Sequence, residues 1–464
     1  MNLYKNIIYF LLYTVTLTSC SHNLYNNVPI RKSTEIFLTK IETDNIVNVS
    51  ITVSNYMHRL AYRLNENNKQ LMVVDGKKGP LYDSVSLPSF SHDESKIAYA
   101  AKNNGVWEII VNNKELYKLN PGIQITGLHF TPDDKNVIYI IKTSNKYALV
   151  TNNTIGKEYD YINENSIVFT PDNKKIAYTA SLNKKQFIVY DGMENNQYDE
   201  VGFPILTRNG LSLAYWAKNN NRNFFVIDNK LSNYYDEIRS ITFNNDASHY
   251  AFIAKKGTNE IVVMDGMESQ PFINIHSLMF SADGKHLAYG VETYEKNKEE
   301  FNHHVVLDGK LLPTYETVVE GSLRFSPDGN HLAYEAEWHD EFFAVLDDKE
   351  GKRFGDVIQS TIVFSPDSKR LSYAAENDSR RTVTTDRNES EPYSDVYSIV
   401  FSPNSKRIAY SVKIIDKESV VIDGVIGNLY DSILGQGAII FDSNNSLHYL
   451  AMKGNDIYLV KEKF

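Results

Sequence analysis

Cysteine is almost absent from this sequence, since Cys20 is the single one in 464 residues. Without a second cysteine no disulfide can form within the chain, so packing and hydrogen bonds must hold the fold together. Enzyme motifs are missing as well: there is no G-x-S-x-G, no H-E-x-x-H, no P-loop and no dinucleotide fingerprint. The sequence therefore gives no catalytic residue, no metal ligand and no cofactor, and we expect a protein that is not an enzyme.

Clusters of positive charge are also lacking. The chain has 48 Lys and Arg against 58 Asp and Glu, and the basic residues are scattered. This distribution argues against a nucleic-acid partner. What the sequence does have is a normal apolar content of 42%, together with 31 Tyr and 22 Phe, which favours strands over helices.

The amino terminus predicts export. Lys5 precedes an apolar stretch at residues 7–18, which is too short to be an ordinary membrane span. The stretch ends in the letters LTSC, and this end resembles the lipobox of bacterial lipoproteins. The resemblance implies a signal peptide at residues 1–19, cleavage before Cys20, and lipidation of the Cys20 thiol, palmitate included.

Lipid chains on Cys20 would anchor the mature protein to a membrane of the cell envelope without a spanning helix. Ser21 follows the cysteine, which in a diderm host implies the outer membrane. The alternatives are an ordinary signal peptide with a chance cysteine, or an uncleaved anchor. Residues 20–34 are then the lipidated cysteine and a polar, flexible tether.

One ten-residue phrase recurs along the rest of the chain. It occurs as FTPDNKKIAY from Phe169, FSADGKHLAY from Phe280, FSPDGNHLAY from Phe325, FSPDSKRLSY from Phe364 and FSPNSKRIAY from Phe401. Eleven units align on the first residue of the phrase, and their spacing is 37 to 40 residues except for one of 45. Such a period indicates stacked units that cannot bury their apolar faces alone.

Each unit carries signals for four strands. The first strand is an alternating run such as SLRF, and it leads into the turn sequence Ser-Pro-Asp-Gly. The second strand is IAY or LAY. The third is a run such as VVIDG, whose Asp-Gly favours a hairpin turn to the fourth. A Tyr-Asp pair closes many units, as at Tyr82, Tyr235 and Tyr430. Four short strands per unit predict an all-β fold, a β-propeller over residues 35–464.

These phrases resemble the WD40-like repeats of bacterial TolB-type β-propellers. The resemblance extends over about residues 53–464, nearly the whole mature chain, and implies a propeller domain in the cell envelope. The chain departs from TolB before the repeats, where a tether and one strand-like segment stand in place of an N-terminal α/β domain.

The last unit stops after its third strand, and the segment at residues 35–42 (EIFLTKIE) precedes the first unit. We predict that this segment supplies the missing outer strand and so covers an exposed sheet edge; the alternative is local pairing with NIVNVSITV. Eleven units exceed the usual four to eight blades of one ring, which favours two propellers. No repeat junction carries a linker, which favours one ring, so both arrangements remain open.

Acidic residues recur in the first turn of the units. In a metal or substrate site they would be ligands, but an active site is needed only once, so repetition favours carboxylates that accept backbone hydrogen bonds within turns. We therefore assign a structural turn role to Asp93, Asp133, Asp172, Asp246, Asp283, Asp328 and Asp367.

The long unit holds a charged insertion at residues 292–306 (ETYEKNKEEFNHHVV), which is our candidate binding loop. Its candidate residues, with one from the next unit, are Glu292, Lys296, Glu300, His303, His304 and His339. Adjacent histidines on a strand point to opposite faces, so His303 and His304 are poorly placed to share a metal.

The sequence thus favours a lipid-anchored, exported propeller that binds an envelope protein or acts as a scaffold. One alternative is a propeller enzyme, a hydrolase or lyase acting on envelope glycans or peptides, with carboxylates around a central funnel that motif searches would miss. Another is a TolB-like component of an envelope machinery.

Overall fold

The computed structural model describes residues 31–41, 51–297 and 299–464. The predicted signal peptide, Cys20 and most of the predicted tether lie outside the described residues. The described chain folds into eleven antiparallel sheets, one for each repeat unit, and we number these blades 1 to 11 in chain order. The prediction of an all-β propeller is confirmed.

Each blade has an inner, a second, a third and an outer strand, and the inner strand of some blades is split in two. The inner strands, separated here by blade, are Thr52–Val53; Ser84–Val85 with Ser89–Phe90; Gln124–Phe130; Tyr161–Ile162 with Val168–Phe169; Glu200–Val201 with Ile205–Leu206; Glu237–Phe243; Asn274–Phe280; Thr317–Val318 with Arg324–Phe325; Asp356–Val357 with Val363–Phe364; Asp395–Phe401; and Ser432–Ile433 with Ile440–Ser443. The second strands are Leu60–Glu66, Ile97–Asn103, Val137–Thr143, Ile176–Leu182, Leu213–Asn219, Tyr250–Lys256, Leu287–Glu295, Leu332–Trp338, Leu371–Asn377, Ile408–Ile414 and Ser446–Lys453.

The third strands are Lys69–Val74, Val106–Val111, Lys146–Thr151, Lys185–Tyr190, Arg222–Ile227, Asn259–Met264, Glu300–Leu307, Glu341–Leu346, Arg380–Thr385, Lys417–Ile422 and Asp456–Lys463. The outer strands of blades 1 to 10 are Lys77–Lys78, Lys114–Lys118, Thr154–Tyr159, Met193–Glu194, Lys230–Tyr235, Met267–Glu268, Lys310–Leu311, Lys349–Glu350, Asn388–Glu389 and Val425–Ile426. A 3₁₀ turn at Glu164–Ser166 and a four-residue helical turn at Leu434–Gly437 are the helical segments of the described residues.

The N-terminal strand, Lys32–Lys40, is the outer strand of blade 11 and pairs antiparallel with Asp456–Lys463. This confirms the predicted closure. The strand begins three residues before the predicted segment at residues 35–42, and Glu42 lies outside the described residues. The early start has a physical reason: Ser33 and Thr34 continue the ladder opposite Glu462 and Lys461, so backbone pairing extends the strand where the side-chain pattern gives no signal.

Buried apolar clusters lie between each pair of neighbouring blades from 1 to 11. Two further clusters join the last blade to the first: Leu60 and Val73 of blade 1 pack with Ile457 of blade 11, and Met57 packs with Leu450 and Leu459. Contacts therefore run around a complete circle. The two arrangements that the sequence left open resolve into one ring of eleven blades.

Candidate functional site

The repeated aspartates use their oxygens within their own turns. Asp328 Oδ1 accepts hydrogen bonds from Ser326 Oγ at 2.5 Å and from the Asn330 backbone N–H at 3.1 Å. In the same way the hydroxyl of Ser91, followed by N–H and O–H groups of Ser95, lowers the pKa of Asp93 to about 2. Hydrogen bonds from nearby side chains also lower the pKa values of Asp133, Asp172, Asp246, Asp283 and Asp367. The structure places these carboxylates one per blade, each engaged in its own turn.

The charged insertion of blade 7 is a β-hairpin and not an open loop. Its strands, Leu287–Glu295 and Glu300–Leu307, are longer than their counterparts in other blades, which span seven and six residues at most positions. The extra cross-strand pairs are Tyr294 with Phe301 and Glu295 with Glu300. Two added residue pairs extend the hairpin by about 7 Å.

The end of this hairpin carries an aromatic pair. The rings of Tyr294 and Phe301 lie 5.1 Å apart between centroids, and the residues are 46% and 55% exposed. Lys296 lies in the turn beyond them. We call Tyr294, Glu295, Glu300 and Phe301 the hairpin tip.

The candidate histidines occupy separate environments. His303 lies opposite Glu292 across the hairpin, and burial lowers its pKa. His304 Nδ1 is 3.2 Å from the backbone oxygen of Leu312. His339 lies in the corresponding turn of blade 8 and pairs with Glu316 of that blade at 3.1 Å. The candidate residues therefore share one region of the ring, but within the described part of the chain the three histidines have separate partners and form no common site.

Four carboxylates gather beside the inner strands of blades 8 and 9. Glu335 and Glu337 lie on the second strand of blade 8, and Asp356 of blade 9 pairs with Glu376 in register. Glu335 is 3% exposed, and its Oε2 has no hydrogen-bond partner among the described residues. Burial, followed by the charges of Asp356 and Glu337, raises the pKa of Glu335 to about 8.

A carboxyl with such a pKa is protonated at neutral pH and can release its proton slightly above it. Burial, with a smaller contribution from Glu376, also raises the pKa of Asp356. Sequence reasoning missed this group. A signal was present, because Glu335 stands in LAYEAEW where other blades carry residues such as Ala100, Ile140 and Ala374.

A cavity of about 640 Å³ opens beside the inner strands of blades 4, 5 and 6. Its lining includes Tyr161, Phe203 and Trp216 together with Glu200 and Arg239. The inner strand passes directly over the Trp216 indole at Gly202, where any side chain would overlap the ring. Aromatic faces beside a carboxylate and a guanidinium are suited to a ligand with both apolar and polar groups.

No family model matches the chain, and no curated protein matches it. Among solved structures it is similar to TolB from Acinetobacter baumannii (14% identity, TM-score 0.25, covering 50% of this chain and 63% of that one). It is also similar to the Dos1 propeller (11%, 0.31, covering 63% and 90%). A third similar structure is oligogalacturonate lyase in complex with manganese (13%, 0.27, covering 68% and 97%). We take the propeller fold from the strand topology and no function from these similarities. In the part of the chain that the structure describes, no helix has the length and apolar character needed to cross a bilayer.

Proposed function

We propose that this chain is a lipid-anchored, exported propeller whose hairpin tip binds a protein partner at the cell envelope. The observation that carries the proposal is the exposed aromatic pair Tyr294 and Phe301, displayed on a hairpin that extends beyond those of the neighbouring blades. Exposed aromatic residues are enriched among the side chains that dominate binding energy at protein interfaces.

The rest of blade 7 holds these two side chains in an exposed position. The strands of the hairpin continue directly from the buried core of blade 7, in which Val291 and Val306 pack with Tyr289. A tip built on paired strands loses little conformational entropy on binding, because its backbone is already ordered. The ring thus supplies a rigid base for one projecting contact.

The charges of the tip suggest the chemistry of its partner. Glu295 and Glu300 lie directly opposite each other next to the aromatic pair. Like charges in this arrangement oppose strand pairing, and the exposed carboxylate of Glu300 would attract a cation on a partner. We infer an apolar pocket bordered by Lys or Arg side chains as the complementary surface.

Crosslinking in living cells, followed by mass spectrometry, tests the proposal on the full-length protein. We expect a defined protein partner with the wild type, and at least a tenfold lower yield with Tyr294→Ser/Phe301→Ser, since about 1.4 kcal/mol of lost binding energy corresponds to tenfold in affinity. The matched control is Leu231→Ser/Tyr234→Ser in the outer strand of blade 5, where both side chains are also exposed. This control should retain the partner.

A second variant separates binding from anchoring. Cys20→Ala removes the proposed lipidation site, and we expect the protein to leave the membrane fraction and the crosslink to disappear with it. A crosslink unaffected by the hairpin substitutions would contradict the assignment of the tip. Recovery of no protein from a correctly anchored sample would favour an enzyme acting on glycans or peptides.

A further inference from the structure

The junction between blade 11 and blade 1 departs from the repeat at one position. The second residue of the LAY-type phrase is small in nine of the other ten blades: Ala61, Ala98, Ala177, Ala214, Ala251, Ala288, Ala333, Ser372 and Ala409, with Ile138 in blade 3. Blade 11 has LHY, and His448 occupies this position with no exposed surface. An imidazole thus replaces a methyl group where two blades face each other.

His448 meets a second histidine from the other end of the chain. Its ring stacks on that of His58 in the first turn of blade 1, with 4.1 Å between centroids and 21° between the planes. Asp442 Oδ1 lies 2.7 Å from His448 Nδ1. One ligand atom from each of His58, Asp442 and His448 lies within 4.8 Å of the other two. We call these three residues the seam triad.

The neighbours of the two histidines determine which nitrogen of each ring faces a possible ion. His448 Nε2 is 2.6 Å from the backbone oxygen of Tyr56, which only accepts hydrogen bonds, so Nε2 carries a proton and Nδ1 faces Asp442. His58 Nδ1 is 2.8 Å from Glu94 Oε2, so Nδ1 donates there and Nε2 is left for another ligand. Histidines that bind metals almost always donate their other N–H to a carbonyl or carboxylate in this way.

We propose that the seam triad binds one divalent transition-metal ion of the Zn²⁺ class, which joins the last blade of the ring to the first. Two imidazole nitrogens and one carboxylate oxygen form a ligand set that such ions prefer, and a water can complete four-coordination. The cation takes the place of the proton that must otherwise lie between His448 Nδ1 and the Asp442 carboxylate. Because the lone pair of an imidazole nitrogen lies in the plane of its ring, the partly exposed His58 ring must turn out of the stack to bind the ion. The partly exposed Asp442 side chain must shift as well.

Other histidines of the first turns show what is special about the seam. His249, His286 and His331 each pair with one aspartate of the same blade, at 2.5, 2.6 and 2.6 Å. None of these pairs gains a third ligand, since the seam triad is the one group of three such side chains found within the described residues. The three pairs therefore provide natural controls.

Metal binding to the purified full-length chain, without a polyhistidine tag and after chelator treatment, tests the inference. Isothermal titration with ZnCl₂ should give one equivalent bound per chain, and Zn²⁺ should raise the unfolding temperature because it binds only the closed ring. His448→Ala restores the residue of the other blades, so it should fold. Loss of a ligand should weaken Zn²⁺ binding about 100-fold or more, since even a supporting neighbour contributes 10- to 100-fold.

Asp442→Asn gives a second variant that changes no packing, and it should weaken binding in the same direction. His331→Ala is the control and should leave both the affinity and the thermal shift unchanged. Binding that survives His448→Ala and Asp442→Asn, or that falls equally with His331→Ala, would overturn the inference. So would a wild type that binds less than one equivalent.

Discussion

At the scale of single residues, most blades repeat a small set of hydrogen bonds in the first turn. Ser326 illustrates the set: its hydroxyl donates to Asp328 at 2.5 Å and accepts from the His331 backbone N–H at 3.0 Å. The equivalent serine in blade 9, Ser365, does the same for Asp367 and Arg370. The turn therefore uses a hydroxyl and, two residues later, a side-chain oxygen that accepts its hydrogen bond. Asp supplies this oxygen in most of these turns, and Asn209 and Asn404 supply it in blades 5 and 10.

Glu335 provides a prediction at this scale. An unfolded glutamate titrates near 4.5, whereas the folded protein holds this proton up to about pH 8. Between those values the unfolded state loses its proton while the folded state keeps it, so stability falls as pH rises, by about 1.4 kcal/mol for each pH unit in the middle of the range.

Glu335→Gln removes this dependence, because the amide does not titrate. Urea unfolding at pH 5, 7 and 9 measures the free energy of unfolding of both proteins. The value for the variant should rise relative to that of the wild type as pH increases, with little difference below pH 4.5. Glu300→Gln on the hairpin tip is the matched control and should follow the wild type. Parallel curves for Glu335→Gln and the wild type would contradict the prediction.

The residue scale also shows where sequence reasoning ends. The turn aspartates could be assigned from repetition, because each turn is local. The seam triad could not, because His58 and His448 are distant in sequence and neither belongs to a recognisable metal motif. The letter H in LHY was a visible departure, but only the closed ring shows which side chain it faces.

At the scale of secondary-structure elements, the N-terminal strand is fixed at its start by one ion pair. Arg31 Nε lies 2.8 Å from Glu462 Oε2, and its Nη2 lies 2.9 Å from Oε1 of the same carboxylate. The Tyr449 hydroxyl donates to this carboxylate at 2.9 Å, and Glu462 is fully buried. The pair connects the first described residue to the last strand.

Arg31→Met should therefore destabilise the protein by about 3–5 kcal/mol, since it leaves a buried carboxylate without its cation. Arg31→Met/Glu462→Gln should recover part of the loss. The comparison is Lys453→Met, which breaks the partly exposed pair with Glu35 and should cost about 1 kcal/mol or less. Chemical unfolding followed by tryptophan fluorescence measures all three, and equal losses for Arg31→Met and Lys453→Met would refute the assignment.

The sequence predicted the positions of the strands better than any other feature of the structure. Ten of the eleven aligned unit starts, from Val53 to Phe401, are the last residue of an inner strand. The insertion of blade 7 was located correctly but expected as a loop. Its strands continue through Tyr294 and Phe301 because these aromatic residues pair across the hairpin. The many charged residues around them made the segment look like a loop in the sequence.

At the scale of the whole molecule, the ring brings the two ends of the described chain together. The number of blades in one ring depends on the angle between neighbouring sheets, which results from the packing of all their buried side chains. No local motif encodes that angle, so the repeat predicted eleven units but left the number of rings open. The closing contacts, such as those of Leu60 and Ile457, appear only in three dimensions.

Zero-length crosslinking tests this closure. Lys453 Nζ lies 2.6 Å from Glu35 Oε1, so a carbodiimide should join the two side chains within one molecule. Mass spectrometry of the digested monomer should contain the Glu35–Lys453 linked peptide, and Lys453→Met should eliminate it. The same peptide found only in crosslinked dimers would show that the N-terminal strand completes a second copy of the chain instead.

The position of the N-terminal strand has a consequence for the timing of synthesis. Lys32–Lys40 is synthesised before all eleven repeat units, whereas its partner strand, Asp456–Lys463, belongs to the eleventh. At a translation rate of about 5–20 residues per second, the first strand waits on the order of tens of seconds without the edge that it will cover. Charged residues flank its apolar centre in KSTEIFLTK, and such charges discourage wrong pairing of an unprotected strand. The ring therefore remains incomplete until Asp456–Lys463 has been synthesised.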